Sequence, residues 1–291
     1  MSWEHYLLVF RLKSPLHIGL RKVGNLMQTR PYVPGRVLWG ALTARLVRDY
    51  SNKTNGDTYQ KIGSSLKKNF RFGYLWPALC EKENPQNIED LEVKFPWKDN
   101  LFDYYFLDCY AGTALDYTLV STAEGSLHHV EFIRPYTRLL PDQKSKQVYL
   151  VGDIFVNKGV TKHDILKFWP EAIGNVQFGG ERAYGWGRVE LVACKENESL
   201  LEKEGYDLSP DDLTITAPEK SRLLAHLKAT NSSRFRGQVE VLTAYHMRES
   251  GELRLISSPP IAFPPGTMVT QNSEFILSEE PGLWELKEDN F

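Results

Sequence analysis

Apolar residues in the first fifth of the chain follow a strand-like pattern and then a helix-like one. Residues 6–13 are rich in strand formers, and Ser14 and Pro15 end this run. The basic, glycine-punctuated segment 16–24 is predicted to be a loop. After Gly35, leucines recur at every fourth position, which predicts a helix with one apolar stripe. The stripe consists of Leu38, Leu42 and Leu46.

The middle of the chain alternates polar and apolar segments. Residues 51–69 are polar and are predicted to form a surface insertion, whereas the aromatic stretch 70–77 is predicted to pack inside. Three further apolar runs predict strands, with a turn at Pro141 and Asp142 before the last of them. These strands are predicted over 103–110, 128–134 and 148–157.

A second helix and a further strand complete this part of the chain. Residues 161–164 resemble a capping box, and apolar positions run on to Trp169, where Pro170 is placed to end or kink the helix. The glycine-rich segment 178–188 then leads into a predicted strand over 188–194. The resulting order is β-α-β-β-α-β, which predicts an α+β protein with a ferredoxin-like, RRM-like domain.

The pattern changes after residue 194, and this change predicts the domain organisation. We expect a ferredoxin-like domain over 1–194, a charged linker over 195–204 and a smaller α+β part over 205–291. The last part is either a degenerate second ferredoxin-like half or a β-rich appendage. Its predicted elements are a strand at 212–216, a helix at 218–228, a strand at 236–246 and short β pieces near 252–257 and 273–278.

Composition favours a globular protein with a substantial core, since apolar residues make up 42% of the chain. No apolar run approaches the roughly 18 residues of a membrane span, and the N-terminus lacks the pattern of a signal peptide. We therefore expect a cytoplasmic protein with no membrane partner. The 3 cysteines lie too far apart in sequence for a zinc or Cys-x-x-Cys motif.

Charge is distributed very unevenly along the chain. Residues 1–72 carry 13 basic and 3 acidic side chains, a net charge of +10. Residues 73–188 carry 12 and 16, and residues 189–291 carry 10 and 18, which gives net charges of −4 and −8. This division suggests a polyanion on the basic side and a different partner on the acidic side. The alternative is solvated surface charge without any partner.

The segment 178–188, FGGERAYGWGR, has the residue types of a nucleic-acid grip. Its four glycines allow positive φ and a close approach of the backbone to a polymer. Its two arginines can pair with phosphates, and Tyr184 and Trp186 can stack on bases. The alternative is a structural turn in which Trp186 fills the core.

Two motifs occur in the chain in a characteristic order. The first strand ends in SPLHIG at 14–19, and YVPG at 32–35 opens a helix that continues with GALTAR at 40–45. The glycine-rich segment 178–188 then precedes a strand. With both motifs in this context, the chain resembles the RAMP superfamily of CRISPR-associated proteins over roughly residues 1–194.

The resemblance implies an RNA-binding module with a ferredoxin-like fold inside a ribonucleoprotein. It favours a single-copy subunit that holds the 5′ handle of the guide RNA (crRNA) in a type III effector complex for antiviral defence. Its partners would be the guide RNA, a nearby target RNA, backbone subunits and the large signalling subunit, with no cofactor. The sequence departs from the family at Arg36, Val37 and Trp39, where members often carry small hydroxyl residues and then a basic residue.

The residues predicted to contact RNA are mostly basic or belong to the glycine-rich segment. Basic side chains would pair with phosphates, and the aromatic side chains would stack on bases. The predicted set is His17, Arg21, Lys22, Arg30, Arg36, Arg45, Arg134, Arg138, Gly179, Gly180, Arg182, Tyr184, Gly185, Trp186, Gly187 and Arg188.

Two enzymatic functions stay open beside non-catalytic binding. A metal-independent endoribonuclease that trims guide precursors needs a base near the 2′-hydroxyl, and His17 is the one candidate in the basic loop. A backbone subunit that cleaves target RNA with a metal typically relies on a loop aspartate, and no aspartate here has a recognisable setting. His128 and His129 would alternate faces in a strand, which disfavours a shared metal. No catalytic residue and no metal site are therefore predicted.

Overall fold

The computed structural model describes residues 2–82, 84–85, 87–139, 144–230 and 233–287. The helices are α1 Gly35–Tyr50, α2 Gly56–Asn69, α3 Phe102–Phe106, α4 Trp169–Ile173 and α5 Leu200–Lys203. The strands up to residue 122 are β1 Trp3–Leu12, β2 Gly19–Val23, β3 Leu26–Thr29, β4 Phe70–Phe72, β5 Trp76–Leu79, β6 Glu92–Val93, β7 Leu107–Gly112, β8 Leu115–Asp116 and β9 Ser121–Thr122. The next strands are β10 His128–Ile133, β11 Val148–Asn157, β12 Val189–Glu196, β13 Asp207–Ser209, β14 Thr214–Ala217, β15 His226–Lys228, β16 Phe235–Arg236 and β17 Glu240–Val241. The last strands are β18 Tyr245–Met247, β19 Leu253–Leu255, β20 Ile261–Phe263, β21 Met268–Val269, β22 Ser273–Leu277 and β23 Leu283–Leu286.

The first sheet has the strand order β12-β1-β11-β5-β6, and β4 also pairs with β11. Every neighbouring pair in it is antiparallel. Its two long strands, β1 and β11, have 10 residues each and pair over nearly their whole length. The predicted α+β class is confirmed, since helices and several sheets share the molecule.

Both faces of the first sheet are buried, because successive side chains of a strand point to opposite sides. Leu8 and Phe10 of β1 face a core that contains the buried residues of α1 and α4. Leu7 and Val9 face a second core that contains buried residues of the C-terminal strands. This two-sided burial explains why β1 is a nearly continuous apolar run in the sequence.

The C-terminal part is built mainly from a seven-stranded sheet of order β13-β14-β22-β23-β15-β20-β17. Phe275 and Trp284 of this sheet stack on each other with ring centroids 5.5 Å apart. They belong to the same buried core as Trp76 and Tyr149 of the first sheet. The C-terminal part therefore packs on the face of the first sheet that the helices leave free.

Residues 195–204, the predicted linker, include the end of β12 and the short helix α5. The buried carboxylate of Asp153 accepts hydrogen bonds from the backbone N–H groups of Leu200 and Leu201, at 3.0 and 3.1 Å. Burial raises the pKa of Asp153 to about 7. The segment is thus fastened to β11, and the division of the chain into domains at this point stays a prediction.

The polar stretch 51–69 is not the surface insertion that its composition predicts. Residues of this stretch form α2, whose N-cap Asn55 accepts a hydrogen bond from the Thr58 N–H at 3.0 Å. Ile62 and Leu66 are buried one turn apart in the helix-side core. The apolar positions in this polar stretch are too few to predict a helix from the sequence. Contact with α1 stabilises the helix.

Two other predictions are wrong in the N-terminal half. The segment 16–24 includes β2, which pairs with β3 in an antiparallel hairpin rather than forming a loop. The predicted strand 103–110 begins as α3, and β7 starts only at Leu107. Phe102 and Phe106 lie one helical turn apart and stack with centroids 4.8 Å apart, so that core packing favours the helix there. Strand β3 of the β2–β3 hairpin lies on one side of β10, and β7 lies on the other. Together these strands form a second, four-stranded sheet of order β2-β3-β10-β7.

The second predicted helix exists but is shorter and starts later. Pro170 lies in the first turn of α4 instead of ending it, which suits proline because the first helical N–H groups have no partner. No capping box forms at Thr161. The ring Nδ1 of His163 accepts from the N–H groups of Ile165 and Leu166 instead, both at 3.2 Å.

The C-terminal helix predicted at 218–228 is also wrong. Leu223 is buried there, and its N–H donates to the Thr267 carbonyl at 3.0 Å. The end of the segment forms β15, which pairs with β20 and β23. Leucine and alanine favour a helix locally, but a core position between two strands overrides that preference. The predicted strand 236–246 is divided among β16, β17 and β18, and the turn predicted at Pro141 and Asp142 lies outside the described residues.

A buried polar network joins the two halves of the molecule. Glu240 accepts a 2.8 Å hydrogen bond from Arg30 and lies 2.5 Å from His226 Nε2. His226 Nδ1 in turn lies 2.5 Å from the hydroxyl of the buried Tyr74. Burial lowers the pKa of His226, so the ring is kept neutral. Although partial burial opposes it, hydrogen bonding to His226 and the charge of Arg30 lower the pKa of Glu240 to about 2.

We predict that Glu240→Gln lowers the free energy of unfolding by about 1–3 kcal/mol at neutral pH, because Arg30 then stays buried without a counter-charge. The folded-state pKa of Glu240 lies below its usual 4.5, so its contribution is complete above that pH and is lost toward about 2. Urea denaturation at a series of pH values should show this. The difference in free energy of unfolding between Glu240→Gln and the wild type should narrow as the pH falls from 4.5 toward about 2. The control is Glu285→Gln in an exposed pair with Lys228, expected to cost at most about 1 kcal/mol; equal losses would contradict the prediction.

Candidate nucleic-acid interface

The glycine-rich loop, residues 178–188, connects the region after α4 to β12. Phe178 at its start is fully buried and packs edge-on against Phe10 of β1 at 5.4 Å. The Phe178 N–H donates to the Gly187 carbonyl at 2.9 Å, which closes the loop at its base. One buried aromatic ring and one backbone hydrogen bond thus fix both ends of the loop.

The loop also rests on the segment that follows β1. The Gly180 N–H donates to the His17 carbonyl at 2.9 Å, and the Gly187 N–H donates to the Pro15 carbonyl at 2.7 Å. The Arg188 N–H donates to Ser14 Oγ at 2.9 Å. The two sequence motifs, SPLHIG and the glycine-rich segment, are therefore in direct contact. Sequence reasoning missed the role of Ser14 and Pro15 as supports, and no pattern in the chain points to it.

Gly187 and Gly185 both have positive φ, of +74° and +81°. A Cβ added at Gly187 would lie 1.8 Å from the Phe178 carbonyl oxygen, so the backbone can pass there only without a side chain. A Cβ at Gly185 would meet nothing within 4 Å. Gly187 is thus required by packing, whereas Gly185 lies at the open tip.

The tip of the loop presents the predicted binding side chains to solvent. Arg182 and Arg188 are exposed, and within the described residues neither guanidinium has an ion-pair or hydrogen-bond partner. Tyr184 is 81% exposed. Trp186 instead packs against Phe132, with centroids 5.1 Å apart. Of the two predicted stacking residues, Tyr184 is available and Trp186 serves as a contact with the second sheet.

Backbone geometry adds a possible anion site at the same tip. Glu181 has a left-handed conformation, with φ 53° and ψ 25°, and a 3-10 turn over Arg182–Tyr184 follows. A left-handed residue followed by right-handed ones points successive N–H groups into one concavity, an arrangement that binds anions. The N–H groups of Glu181, Arg182 and Ala183 have no backbone acceptor in the part of the chain that the structure describes.

His17 lies beneath the loop rather than on its surface. Its side chain is buried, and Nδ1 lies 2.7 Å from the Glu131 carbonyl oxygen. A Cβ added at Gly180 would lie 3.4 Å from His17 Cδ2, so the ring fills the space under that glycine. This position suits a support of the glycine-rich loop.

The hairpin of β2 and β3 carries two more predicted residues. All residues of β2 are exposed, including Arg21 and Lys22. Arg21 Nε donates to Gln28 Oε1 across the hairpin at 2.7 Å. Neither side chain has an acidic partner within the described residues, so both stay available to a polyanion.

The remaining predicted arginines are occupied. Arg30 is buried in the network with Glu240, Arg36 lies 3.5 Å from Glu280, and Arg45 pairs with Asp49 at 2.7 Å. Arg134 and Arg138 both pair with Asp108. The +10 segment is thus partly neutralised inside the molecule, and its partners Glu240, Glu279 and Glu280 come from the acidic C-terminal part.

Among the described residues, no three His, Cys, Asp or Glu side chains lie together as a metal site. None of the helices in this part of the chain combines the length and the apolar character of a membrane span.

We predict that Gly187→Ala destabilises the protein more than Gly185→Ala. Both substitutions place a side chain in the left-handed region, at a cost of about 1–2 kcal/mol. Gly187→Ala also drives a methyl group into the Phe178 carbonyl, which should add about 1–3 kcal/mol. Chemical denaturation of the two variants measures the difference, and equal losses would show that the loop can shift to accept the methyl group.

Comparison with known proteins gives a family match and several structural neighbours. The model of the RAMP superfamily matches residues 9–190. No curated protein matches the chain in sequence. A chain in the cryo-EM structure of Type III-B Cmr-beta bound to cognate target RNA and AMPPnP, state 1, is 14% identical, with a TM-score of 0.49 and coverage of 91% of this chain and 85% of that one.

Two other solved structures are similar to a lesser degree. A chain of Type III-B Cmr-beta bound to cognate target RNA is 12% identical, with a TM-score of 0.43 and coverage of 90% and 86%. A chain of Type III-B Cmr-beta in the apo state is 10% identical, with a TM-score of 0.38 and coverage of 64% and 96%. The family match covers well over half of the chain and both sequence motifs, and the protein therefore belongs to the RAMP superfamily.

Proposed function

We propose that the protein is a non-catalytic subunit that binds guide RNA (crRNA) in a type III CRISPR effector ribonucleoprotein and grips the 5′ handle. The observation that carries the proposal is the glycine-rich loop. Above an anchored base, it exposes two arginines and one tyrosine, and a run of its backbone N–H groups has no backbone acceptor within the described residues. These groups match the phosphate and base surfaces of single-stranded RNA.

A ferredoxin-like arrangement of the first sheet belongs to this proposal. The order β12-β1-β11-β5, with α1 after β1 and α4 before β12, supports it. In this arrangement the glycine-rich loop enters the edge strand β12 beside the end of β1. The loop and the β2–β3 hairpin would then form one RNA surface, with Arg182, Arg188, Arg21 and Lys22 as its free cations.

The position of His17 favours binding over cleavage. A general base must reach the proton that it removes within hydrogen-bond distance. The His17 ring is buried under Gly180, with Nδ1 directed to the Glu131 carbonyl. The proposal therefore assigns it to the support of the loop and not to the endoribonuclease chemistry of guide processing.

The family and the uneven distribution of charge support a place for the protein in a larger effector complex. A cytoplasmic effector complex would supply the large signalling subunit, the backbone subunits and a nearby target RNA as partners. Acidic side chains of the C-terminal part already pair with Arg30 and Arg36, so this part would shield the reverse side of the molecule from RNA. Division into a domain over 1–194, a linker and a part over 205–291 remains part of the proposal.

We expect the double variant Arg182→Ala, Arg188→Ala to bind single-stranded RNA more weakly and with a smaller salt dependence. Each lost phosphate contact should reduce the slope of log K against log salt by about 0.7. Titration of guide RNA at several salt concentrations measures both quantities. The control, Lys220→Ala with Lys228→Ala, removes the same charge from the C-terminal part and should leave the slope unchanged. An unaltered slope in the arginine variant would refute the role of the loop.

The copy number of the protein per guide RNA tests the handle-binding position. A subunit that caps the 5′ end should be present once for each RNA, because there is one handle. Native mass spectrometry of the complex purified through this protein would give the ratio, and sequencing of the bound RNA would give its 5′ end. Several copies for each RNA would instead support a backbone subunit.

A further inference from the structure

A groove of about 880 Å³ lies beside the glycine-rich loop, between the loop, the end of α4 and the start of β12. Its volume falls within the range of small-ligand sites. The phosphate and stacking roles proposed above use only its rim, at Tyr184 and Arg188. The rest of its lining is polar and has no role so far. The side chains that matter here are Lys13, Asn175, Gln177, Tyr184, Arg188 and Glu190.

Two amide side chains in the groove are held so that their oxygens stay free. Gln177 Nε2 donates to the Trp186 carbonyl at 2.7 Å, and Asn175 Nδ2 donates to the Glu171 carbonyl at 3.0 Å. These hydrogen bonds assign the amide orientations. Within the described residues, no donor reaches either amide oxygen. Both amides therefore offer acceptors to a ligand.

Glu190 adds a carboxylate to the same groove. Its Oε2 lies 3.2 Å from Lys13 Nζ and 3.2 Å from Arg11 NH1, while Oε1 has no donor within the described residues. The hydrogen bond and charge of Lys13 lower the pKa of Glu190, so it is ionised at neutral pH. The groove wall thus offers free acceptors at Asn175, Gln177 and Glu190 beside the cationic donors Lys13 and Arg188.

The chemistry of the lining selects among nucleobases. Glu190 Oε1 and the two amide oxygens are separate free acceptors, so the groove favours a base that presents adjacent N–H donors. Guanine alone among the four RNA bases has two neighbouring donors on its pairing edge, N1–H and N2–H₂. Adenine and cytosine offer one amino group beside an acceptor, and uracil offers one N–H between two acceptors. An unpaired base edge of this kind is what proteins read in single-stranded RNA.

We propose that this groove binds one guanine nucleotide of the guide RNA and that Glu190 reads its pairing edge, with Tyr184 stacked on the base and Arg188 at its phosphate. The inference rests on the proposed function and adds a sequence preference to it. The loop alone would be sequence-tolerant, since phosphates carry no sequence information. Asn175 and Gln177 would accept from the remaining donors of the base or ribose.

The test uses the full chain and uridine oligomers of about ten nucleotides. This length lies within the range of binding-site sizes of proteins that bind single-stranded nucleic acids. Each carries one central guanosine, inosine, adenosine or cytidine, and fluorescence anisotropy at fixed salt gives the affinities. We expect guanosine to bind about tenfold more tightly than adenosine or cytidine, a ratio within the range of specific base contacts. Inosine, which lacks the N2 amino group, should fall between.

Variants separate a reading role from general electrostatics. Glu190→Gln removes one negative charge near the RNA, so a purely electrostatic role would raise the affinity for all oligomers equally. The proposal instead requires the ratio of guanosine to adenosine affinity to fall to about 1. Glu196→Gln, at the far exposed end of the same strand, is the matched control and should keep the wild-type ratio.

Equal affinities for all four oligomers, with binding still dependent on Arg182 and Arg188, would overturn the guanine site and leave the proposed function standing. A guanosine preference that survives in Glu190→Gln would place the site elsewhere. Free GMP that binds as tightly as the guanosine oligomer would replace guide RNA with a mononucleotide as the ligand. Failure of the wild-type protein to bind any oligomer would overturn both proposals.

Discussion

Burial of both faces of the first sheet is the constraint on which the rest of the molecule depends. Leu7 and Val9 of β1 require a cover on one side, and Leu8 and Phe10 require one on the other. The helices cover one face and the C-terminal strands cover the other, so that these apolar side chains are removed from water. The same β1 supports the glycine-rich loop, because Phe178 packs on Phe10 and the loop backbone rests on the segment after the strand.

Charged residues are also divided between the N-terminal and C-terminal parts of the chain. The basic N-terminal segment and the acidic C-terminal part meet in ion pairs, such as those of Arg30 with Glu240 and Arg36 with Glu280. A buried charge is stable only with a partner, so these arginines are committed to the fold. Of the basic residues predicted to contact RNA, those without an acidic partner in the described part of the chain lie on the β2–β3 hairpin and in the glycine-rich loop. Net charge along the sequence thus overstates the basic surface.

Sequence patterns predicted the elements whose own residues provide the signal. The leucine stripe of α1, the apolar runs of β1 and β11 and the glycine-rich loop lie where they were expected. Prediction failed where a tertiary contact decides the local structure. α2 forms because Ile62 and Leu66 reach the core that they share with α1, and residues 223–228 extend because strands on either side take their hydrogen bonds. In both cases the deciding contact lies outside the segment, so the residue pattern of the segment does not show it.

The sequence by itself determined the family motifs, the α+β class and the identity of the loop, because these depend on residue types and short spacings. Tertiary structure decided which of the predicted residues are exposed and unpaired. It buried Arg30 and His17, turned Trp186 onto Phe132 and left Tyr184, Arg182 and Arg188 exposed. The physical reason is that a side chain becomes buried or paired only when the fold places suitable residues opposite it. For Arg30, the opposite surface is supplied by Glu240, which lies 210 positions away in the sequence.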